Sequence, residues 1–315
     1  MAALIEVARS FRAMNTSVEA SVCAPQERKN EAAGALDEVQ RLFQSVEETL
    51  SRFEPGSELS QLNSSGGQPF RATPLLFEVV SLSLEAARLS GGIFDPTVLL
   101  ALIAAGYDRS FEKLETRPLP RSSVAGPVRP GWREIELRPQ TREIVLPPGV
   151  GLDLGGIGKG WAVDRACSGL TCFPGFAVDA GGDIGVGGSQ ADGSPWTVAV
   201  EDPFEKDRDL TVLNLREGAV CTSSTRRRSW TRVRQRRHHI IDPRTGAPAD
   251  SGAASVTILA ASAVKAEVAA KVALILGPQA GMEIIEKDPV LRGIMVLDSG
   301  QWISSPGIRR TADVA

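Results

Sequence analysis

Segments with helical and strand-like patterning alternate along this chain of 315 residues, and the alternation restricts the folds open to it. Apolar residues at helical spacing, interrupted by charges, predict amphipathic helices. Proline at a first turn and glycine after a last turn mark where such helices begin and end. The predicted helices cover residues 29–50, 74–89, 161–170 and 262–276. Helices mixed with short strands indicate an α+β fold.

Strand-like segments fill much of the remaining chain, with glycine turns between them. The predicted strands cover residues 14–24, 176–179, 196–200, 210–215, 219–221, 230–241, 254–260 and 293–297, with a hairpin over 132–147. The last helix, which ends at Gly277-Pro278, and its flanking strands look like a βαβ unit. A proline-containing stretch over 111–131 is interpreted as an excursion between strands.

Composition excludes several classes of function. A formal net charge of −3 gives no reason to expect nucleic acid as a general partner. The four cysteines (Cys23, Cys167, Cys172 and Cys221) form neither a CxxC pair nor a metal-binding spacing, which is typical of reduced thiols. No apolar run approaches the roughly 18 residues that span a bilayer. We therefore expect a cytoplasmic protein with no membrane span.

Residues 238–246 contain the only two histidines of the chain. His238 and His239 end a strand-like run and directly precede the polar turn Asp242–Gly246. Because histidine titrates near neutrality, two copies beside an aspartate turn indicate chemistry. The alternative is a partly buried strand end with hydrogen-bonded imidazoles.

Further segments rich in glycine and aspartate are candidates for ligand binding. Gly151–Gly160 leaves a strand and opens a helix, a geometry that brings backbone amides close to a phosphate, although it lacks the P-loop pattern. Asp153 can accept hydrogen bonds from a base or sugar, and Lys159 can neutralise a phosphate; a helix cap and a solvated charge are the alternatives. Phe94 and Asp95 can stack on a ring and hydrogen-bond it, or form a plain Asp-Pro turn.

Seven arginines lie between residues 226 and 237, a density that also permits polyanion binding. Arg232, Arg234 and Arg236 alternate with Val233 and Gln235, as on the solvated face of an edge strand. The stretch lacks interleaved aromatic residues for base stacking. We therefore predict no nucleic-acid partner.

Six segments, in order along nearly the whole chain, resemble the ApbE family of FAD:protein FMN transferases. They are Met14-Asn15-Thr16, Ser51–Asn63 (S-R-F-E-P-G-S-E-L-S-Q-L-N), Phe94–Thr97, Asp153–Asp164, Ala180–Asp183 and His239–Gly246. The resemblance implies one large α+β domain over 1–315, made of mixed sheets with packed helices in two intertwined lobes.

The resemblance also implies a reaction and its substrates. FMN would move from FAD to a threonine or serine hydroxyl of a target protein, with release of AMP. His239 would accept the hydroxyl proton, since a general base works best with a pKa near the working pH. The residues assigned to FAD binding are Met14, Phe94, Asp95, Asp153, Lys159 and Ile240.

The implied magnesium site is where this sequence departs from the family. The family uses main-chain carbonyl oxygen near Gly156, with an aspartate and a threonine four residues apart on the last long helix, where this chain has Glu267 and Lys271. Glutamate can still ligate Mg²⁺, but an ammonium has no lone pair, so Lys271 is predicted to weaken or exclude the metal.

Three interpretations of this pair stay open. Lys271 can place its own charge where the cation would sit and support metal-independent or weak transfer. Alternatively, the protein binds FAD with little or no transferase activity. Finally, Glu267 and Lys271 can be a plain i,i+4 pair. The apolar helix around them favours a pair that faces a cavity.

Overall fold

The computed structural model describes residues 3–111, 131–232 and 235–308. The excursion predicted over 111–131 lies, apart from its two end residues, outside the described residues. The helices are α1 Lys29–Leu50, α2 Glu58–Asn63, α3 Pro74–Leu89, α4 Leu99–Ala105, α5 Gly158–Leu170, α6 Ala263–Leu276 and α7 Pro278–Lys287. Helices α1 and α3 have the predicted bounds, and Thr73 caps α3 by accepting a hydrogen bond from the Leu76 amide.

All the strands of the described residues pair with their neighbours in antiparallel fashion. They are β1 Leu4–Ala13, β2 Thr16–Pro25, β3 Phe70–Arg71, β4 Glu136–Arg138, β5 Glu143–Val145, β6 Gly175–Ala180, β7 Asp183–Gly188, β8 Trp196–Glu201, β9 Asp209–Leu215, β10 Glu217–Ser224, β11 Ser229–Arg232, β12 Gln235–His238, β13 Ile241–Asp242, β14 Ala247–Pro248, β15 Ala253–Ala260, β16 Arg292–Leu297 and β17 Trp302–Ser304.

An eight-stranded antiparallel sheet in the order β1-β2-β6-β7-β10-β15-β16-β17 forms the middle layer. Helices α1, α5 and α6 pack on one face, where Phe43, Val163 and Ala270 are fully buried in the main apolar core. The hairpin β8–β9 covers part of the other face through a second core that includes Trp196 and Val220. Both faces of the central strands are therefore buried, as in a layered α+β fold.

The strand predicted over 14–24 is β2, which forms an antiparallel hairpin with β1. The chain turns at Met14 and Asn15, whose φ angles of 51° and 58° lie in the left-handed region. Two consecutive positive φ angles are typical of the tight turn that matches the twist of paired strands. Strand β1 escaped the sequence analysis because an edge strand keeps much of its surface in water and carries charges.

Two other expectations about strands were wrong. The run predicted over 230–241 is the antiparallel pair β11–β12 followed by the short strand β13. The last unit is not βαβ, since β15 and β16 are antiparallel neighbours. The reason is a second helix: Gly277-Pro278 ends α6 and also starts α7, with proline at the first helical position. The additional helix brings the chain back in the opposite direction.

Helices α5 and α6 cross at a glycine. A Cβ placed on Gly160 would lie 2.8 Å from the Ala263 carbonyl oxygen and 2.9 Å from Glu267 Oε2. The Ala263 carbonyl belongs to the backbone of α6 and cannot retreat without moving that helix. The contact explains why α5 begins at Gly158, three residues before the predicted start: glycines in the first turn permit the close approach.

We predict that Gly160→Ala lowers the free energy of unfolding by about 1–3 kcal/mol, the usual effect of overpacking. Gly169 is the matched control, since it lies in the same helix with nothing within 4 Å of its added Cβ. Gly169→Ala should be neutral or stabilise by up to about 1 kcal/mol. Urea unfolding of the two variants measures the difference, and equal midpoints would contradict the proposed contact.

In the part of the chain that the structure describes, every helix is too short or too polar to cross a bilayer.

Candidate active site

Seven stretches of the chain, from loops and helices, surround a cavity of about 340 Å³. Nine of the ten residues named in the sequence analysis line it: Met14, Phe94, Asp95, Asp153, Gly156, Lys159, His239, Ile240 and Lys271. The tenth, Glu267, does not line the cavity, and its carboxylate lies next to the Lys159 ammonium. The volume is in the range of small-molecule sites in proteins.

The two histidines have different surroundings. His238 is buried and uses both ring nitrogens, because Nε2 donates to the Ala249 carbonyl at 2.9 Å and Nδ1 accepts from the Ile240 amide. His239 Nδ1 lies 3.4 Å from the Arg228 carbonyl, which can only accept, so Nδ1 carries the hydrogen. Its Nε2 lone pair has no partner among the described residues. His238 is thus structural, and His239 offers a free base to the cavity.

The surroundings also keep the His239 imidazole neutral. Burial, and then the positive charges of Arg228 and Lys271, hold the pKa of His239 well below its ordinary value of 6.5. A neutral imidazole can accept a proton, whereas a protonated one cannot. The site therefore holds its candidate base in the reactive form.

We predict that His239 titrates below pH 6.5 in the folded protein. The folded state then binds fewer protons than the unfolded state below pH 6.5, so this group contributes stability above pH 6.5 that is lost as the pH falls. Histidine ring resonances measured by NMR across the acid range report the midpoint, and His239→Asn identifies the signal. A midpoint at or above 6.5 would contradict this environment.

Arg52 and Asp153 form a buried ion pair at one end of the cavity. Arg52 Nε lies 2.5 Å from Asp153 Oδ2, and the side chains are 6% and 16% exposed. The other carboxylate oxygen accepts from the Gly155 amide at 3.0 Å. Asp153 is predicted to bind a sugar or base; it lines the cavity, and its oxygens also hold Arg52 and the glycine loop. Its place is in the wall that shapes the site.

Aromatic rings form a second wall beside this ion pair. Tyr107, the only tyrosine, packs against Phe53 at 5.6 Å and against Trp230 at 5.4 Å between ring centroids. The Arg52 guanidinium lies over the rings of Phe53 and Tyr107 at 4.1 and 4.7 Å. The Tyr107 ring also approaches the His239 ring in an edge-on arrangement, with centroids 6.5 Å apart. Flat apolar surfaces of this kind suit a planar ring system.

Phe94 and Asp95 follow helix α3 and are both buried. Asp95 Oδ1 accepts from the Thr97 amide at 2.7 Å and from its hydroxyl at 2.6 Å. Asp95 Oδ2 is buried without a hydrogen-bond partner in the described part of the protein. Burial raises the pKa of Asp95, against the effect of the Thr97 hydrogen bonds. An unpaired buried oxygen is costly, so a donor from a bound ligand would stabilise it.

Lys159 is held by two carboxylates at the start of α5. Its ammonium pairs with Asp183 and lies 3.6 Å from Glu267 Oε1. Glu267 Oε2 accepts from the Gly160 amide at 2.9 Å. Glu267 therefore belongs to a buried network that fixes α5 against α6, and it does not reach the cavity.

Lys271 lies one turn further along α6 and lines the cavity. Its ammonium sits against Gly156, where an added Cβ would collide with it, and 5.9 Å from the centroid of the Phe94 ring. Burial lowers the pKa of Lys271, and the Glu267 carboxylate opposes that shift. The expected cavity-facing pair is thus divided: Lys271 faces the cavity, and Glu267 faces the protein.

The residues at this place do not fit a divalent cation. Glu267 is committed to Gly160 and Lys159, and the Lys271 ammonium lies against Gly156, whose carbonyl was a predicted ligand. Within the described ranges, no group of three or more His, Cys, Asp or Glu side chains is arranged to hold a metal ion. Magnesium needs oxygen ligands in near-octahedral geometry, and this arrangement supplies a cation instead.

Sequence reasoning missed three residues of the site. Arg52 lies in the matched segment Ser51–Asn63 but was given no role there. Tyr107 stands alone in the sequence, with no surrounding pattern. Arg228 lies in the arginine-rich segment, which was interpreted as a solvated strand, yet its carbonyl orients His239 and its side chain lines the cavity. Of the three, only Arg52 could have been identified from the sequence, because it lies in a segment that resembles the family.

The fold and the cavity together define the class of protein. It is an α+β protein whose site combines aromatic walls, several cations and a neutral imidazole, and such a site suits an anionic ligand with a planar ring. The model of the ApbE family matches residues 14–295. The chain belongs to the ApbE family.

Relatives and solved structures agree with this assignment. A FAD:protein FMN transferase of Treponema pallidum is 29% identical over 299 residues, covering 88% of this chain and 81% of the relative. One of Vibrio cholerae is 29% identical over 271 residues, with 84% and 80% covered. The crystal structure of the ApbE protein of Thermotoga maritima superposes with a TM-score of 0.83 at 25% identity, covering 96% of this chain and 97% of that one.

Proposed function

We propose that this protein transfers FMN from FAD to a threonine or serine hydroxyl of an acceptor protein. The observation that carries the proposal is the convergence of nine predicted site residues, from distant parts of the sequence, on one cavity. The relatives of Treponema pallidum and Vibrio cholerae, both FAD:protein FMN transferases, support the same activity.

The side chains around the cavity suit the parts of FAD. We assign the isoalloxazine ring to the region of Met14, Phe94 and Ile240, with the unpaired Asp95 Oδ2 accepting a ring N–H. Lys159, at the glycine-rich start of α5, suits the diphosphate, because amides at a helix start and an ammonium both favour anions. Asp153 acts indirectly, by positioning Arg52.

His239 accepts the proton that the acceptor hydroxyl loses in the transfer step. The acceptor hydroxyl oxygen forms a bond to the FMN phosphorus while its proton passes to His239 Nε2. The bond from that phosphorus to the bridging oxygen breaks, and AMP leaves with the electron pair. A neutral imidazole with its Nδ1–H held by the Arg228 carbonyl is oriented for this role.

Intact-mass spectrometry of a flavin-acceptor domain with a target threonine tests the proposal. Incubation with FAD should add the mass of one FMN, and a threonine-to-valine acceptor should gain nothing. FAD binding without any mass gain on a cognate acceptor would instead support a flavin-binding protein that lacks transferase activity. The relatives do not favour that alternative.

We further propose that the whole chain, 1–315, forms one ApbE-like domain and that the protein works in the cytoplasm. The family match over residues 14–295 supports one domain. All four cysteines are free, and burial raises the pKa of Cys23 to about 11 and that of Cys167 to about 12. Free thiols suit a reducing compartment.

A further inference from the structure

Lys271 differs from Arg52 and Lys159, two other cations of the cavity, in having no contacting partner within the described part of the chain. Arg52 is paired with Asp153, and Lys159 is paired with Asp183. The Lys271 ammonium makes no hydrogen bond or ion pair with any described residue. The Glu267 and Asp153 carboxylates act on this charge only from a distance. A charge inside the protein without a contacting counter-charge is costly, so the free protein keeps a cation here that a bound anion would stabilise.

The position of this ammonium determines what would compensate it. It lies between the glycine-rich loop, at Gly156, and the ring of Phe94, both of which line the cavity. It also lies close enough to His239 for its charge to influence the imidazole. A ligand oxygen placed between the aromatic end and His239 would meet this ammonium. The diphosphate of FAD is the group that carries such oxygens.

We propose that the Lys271 ammonium contacts the diphosphate together with Lys159 and takes the place of a divalent metal ion, so that this protein binds FAD and transfers FMN without Mg²⁺. The inference rests on the proposed function and adds to it the source of the positive charge. It also explains the position of Glu267. With no metal ion to ligate, its carboxylate accepts a hydrogen bond from the Gly160 amide and holds α5 against α6.

A tethered ammonium can supply the charge stabilisation that the step needs. As the phosphorus–oxygen bond breaks, negative charge grows on the bridging oxygen that leaves with AMP. A fixed cation in a partly buried site stabilises that charge more strongly than it would in bulk solvent. Because the lysine is part of the chain, the charge is present before FAD binds and is insensitive to chelators.

Binding measurements test the inference without relying on transfer. The dissociation constant of FAD is measured by calorimetry in EDTA and in excess Mg²⁺, for the wild type and for Lys271→Met, which keeps the length but removes the charge. We expect equal wild-type affinity under both conditions, and FAD binding weakened by roughly tenfold, or about 1.4 kcal/mol, in Lys271→Met. Riboflavin, which lacks the diphosphate, should bind both proteins equally. Lys265→Met is the matched control, because Lys265 lies on the same helix, is 42% exposed and pairs with Asp288.

Electron paramagnetic resonance of Mn²⁺ gives a test on the wild type alone. We expect no protein-bound Mn²⁺ in the FAD complex beyond what free FAD binds. One Mn²⁺ bound per chain, FAD binding that requires Mg²⁺, or unchanged FAD affinity in a folded Lys271→Met would each overturn the inference while leaving the proposed function intact. Failure to bind FAD under either condition would overturn the proposed function as well.

Discussion

Replacement of His239 by alanine is expected to reduce FMN transfer by about 10²–10⁴-fold, the usual contribution of a positioned general base. FAD should still bind, because its proposed contacts lie on other residues. The measurement is the rate of mass gain on an acceptor domain under single-turnover conditions, with FAD affinity determined in parallel. The loss should appear in the rate and not in the affinity.

His238→Gln is the control for this experiment. His238 is adjacent in sequence, but its ring nitrogens are used by the Ala249 carbonyl and the Ile240 amide. We expect that variant to unfold at a lower temperature while its folded molecules transfer FMN at close to the wild-type rate. A His239→Ala protein that keeps the wild-type rate would show that the hydroxyl proton goes elsewhere.

Removing the guanidinium of Arg52 is expected to destabilise the fold. In Arg52→Met the Asp153 carboxylate loses its partner in a largely buried place, and breaking a buried pair in this way lowers the free energy of unfolding by about 3–5 kcal/mol. The loss of the hydrogen bond to the Tyr107 carbonyl, 2.8 Å long, acts in the same direction. Urea unfolding followed by circular dichroism gives the difference from the wild type.

Two further variants separate the causes. Arg138→Met removes a surface arginine, 41% exposed and paired with Glu136, and should change stability by about 0–1 kcal/mol. The double variant Arg52→Met/Asp153→Asn leaves no unpaired charge and should be more stable than Arg52→Met alone. A double variant no more stable than Arg52→Met would show that an unpaired Asp153 is not the cause.

The local elements were predictable where a single physical pattern decided them. The bounds of α1 and α3 follow from apolar spacing, the cap at Thr73 and the proline after it, all of which lie within a few residues of each other. The edge strand β1 and the second helix α7 were missed. An edge strand lacks a clean buried face, and a Gly-Pro pair ends one helix and begins another with the same residues.

The sequence by itself determined the family, the fold class and most of the candidate site, because short motifs keep their residue types and order wherever the chain places them. Only the tertiary structure decided which contacts each of those residues makes and which of them face the cavity. It separated His238 from His239 through hydrogen bonds, joined Arg52 to Asp153, and turned Glu267 inward while leaving Lys271 in the cavity. These distinctions depend on contacts between residues far apart in sequence, such as Gly160 with Glu267, which are 107 positions apart. Burial and charge at such contacts follow from packing in three dimensions, which no local pattern encodes.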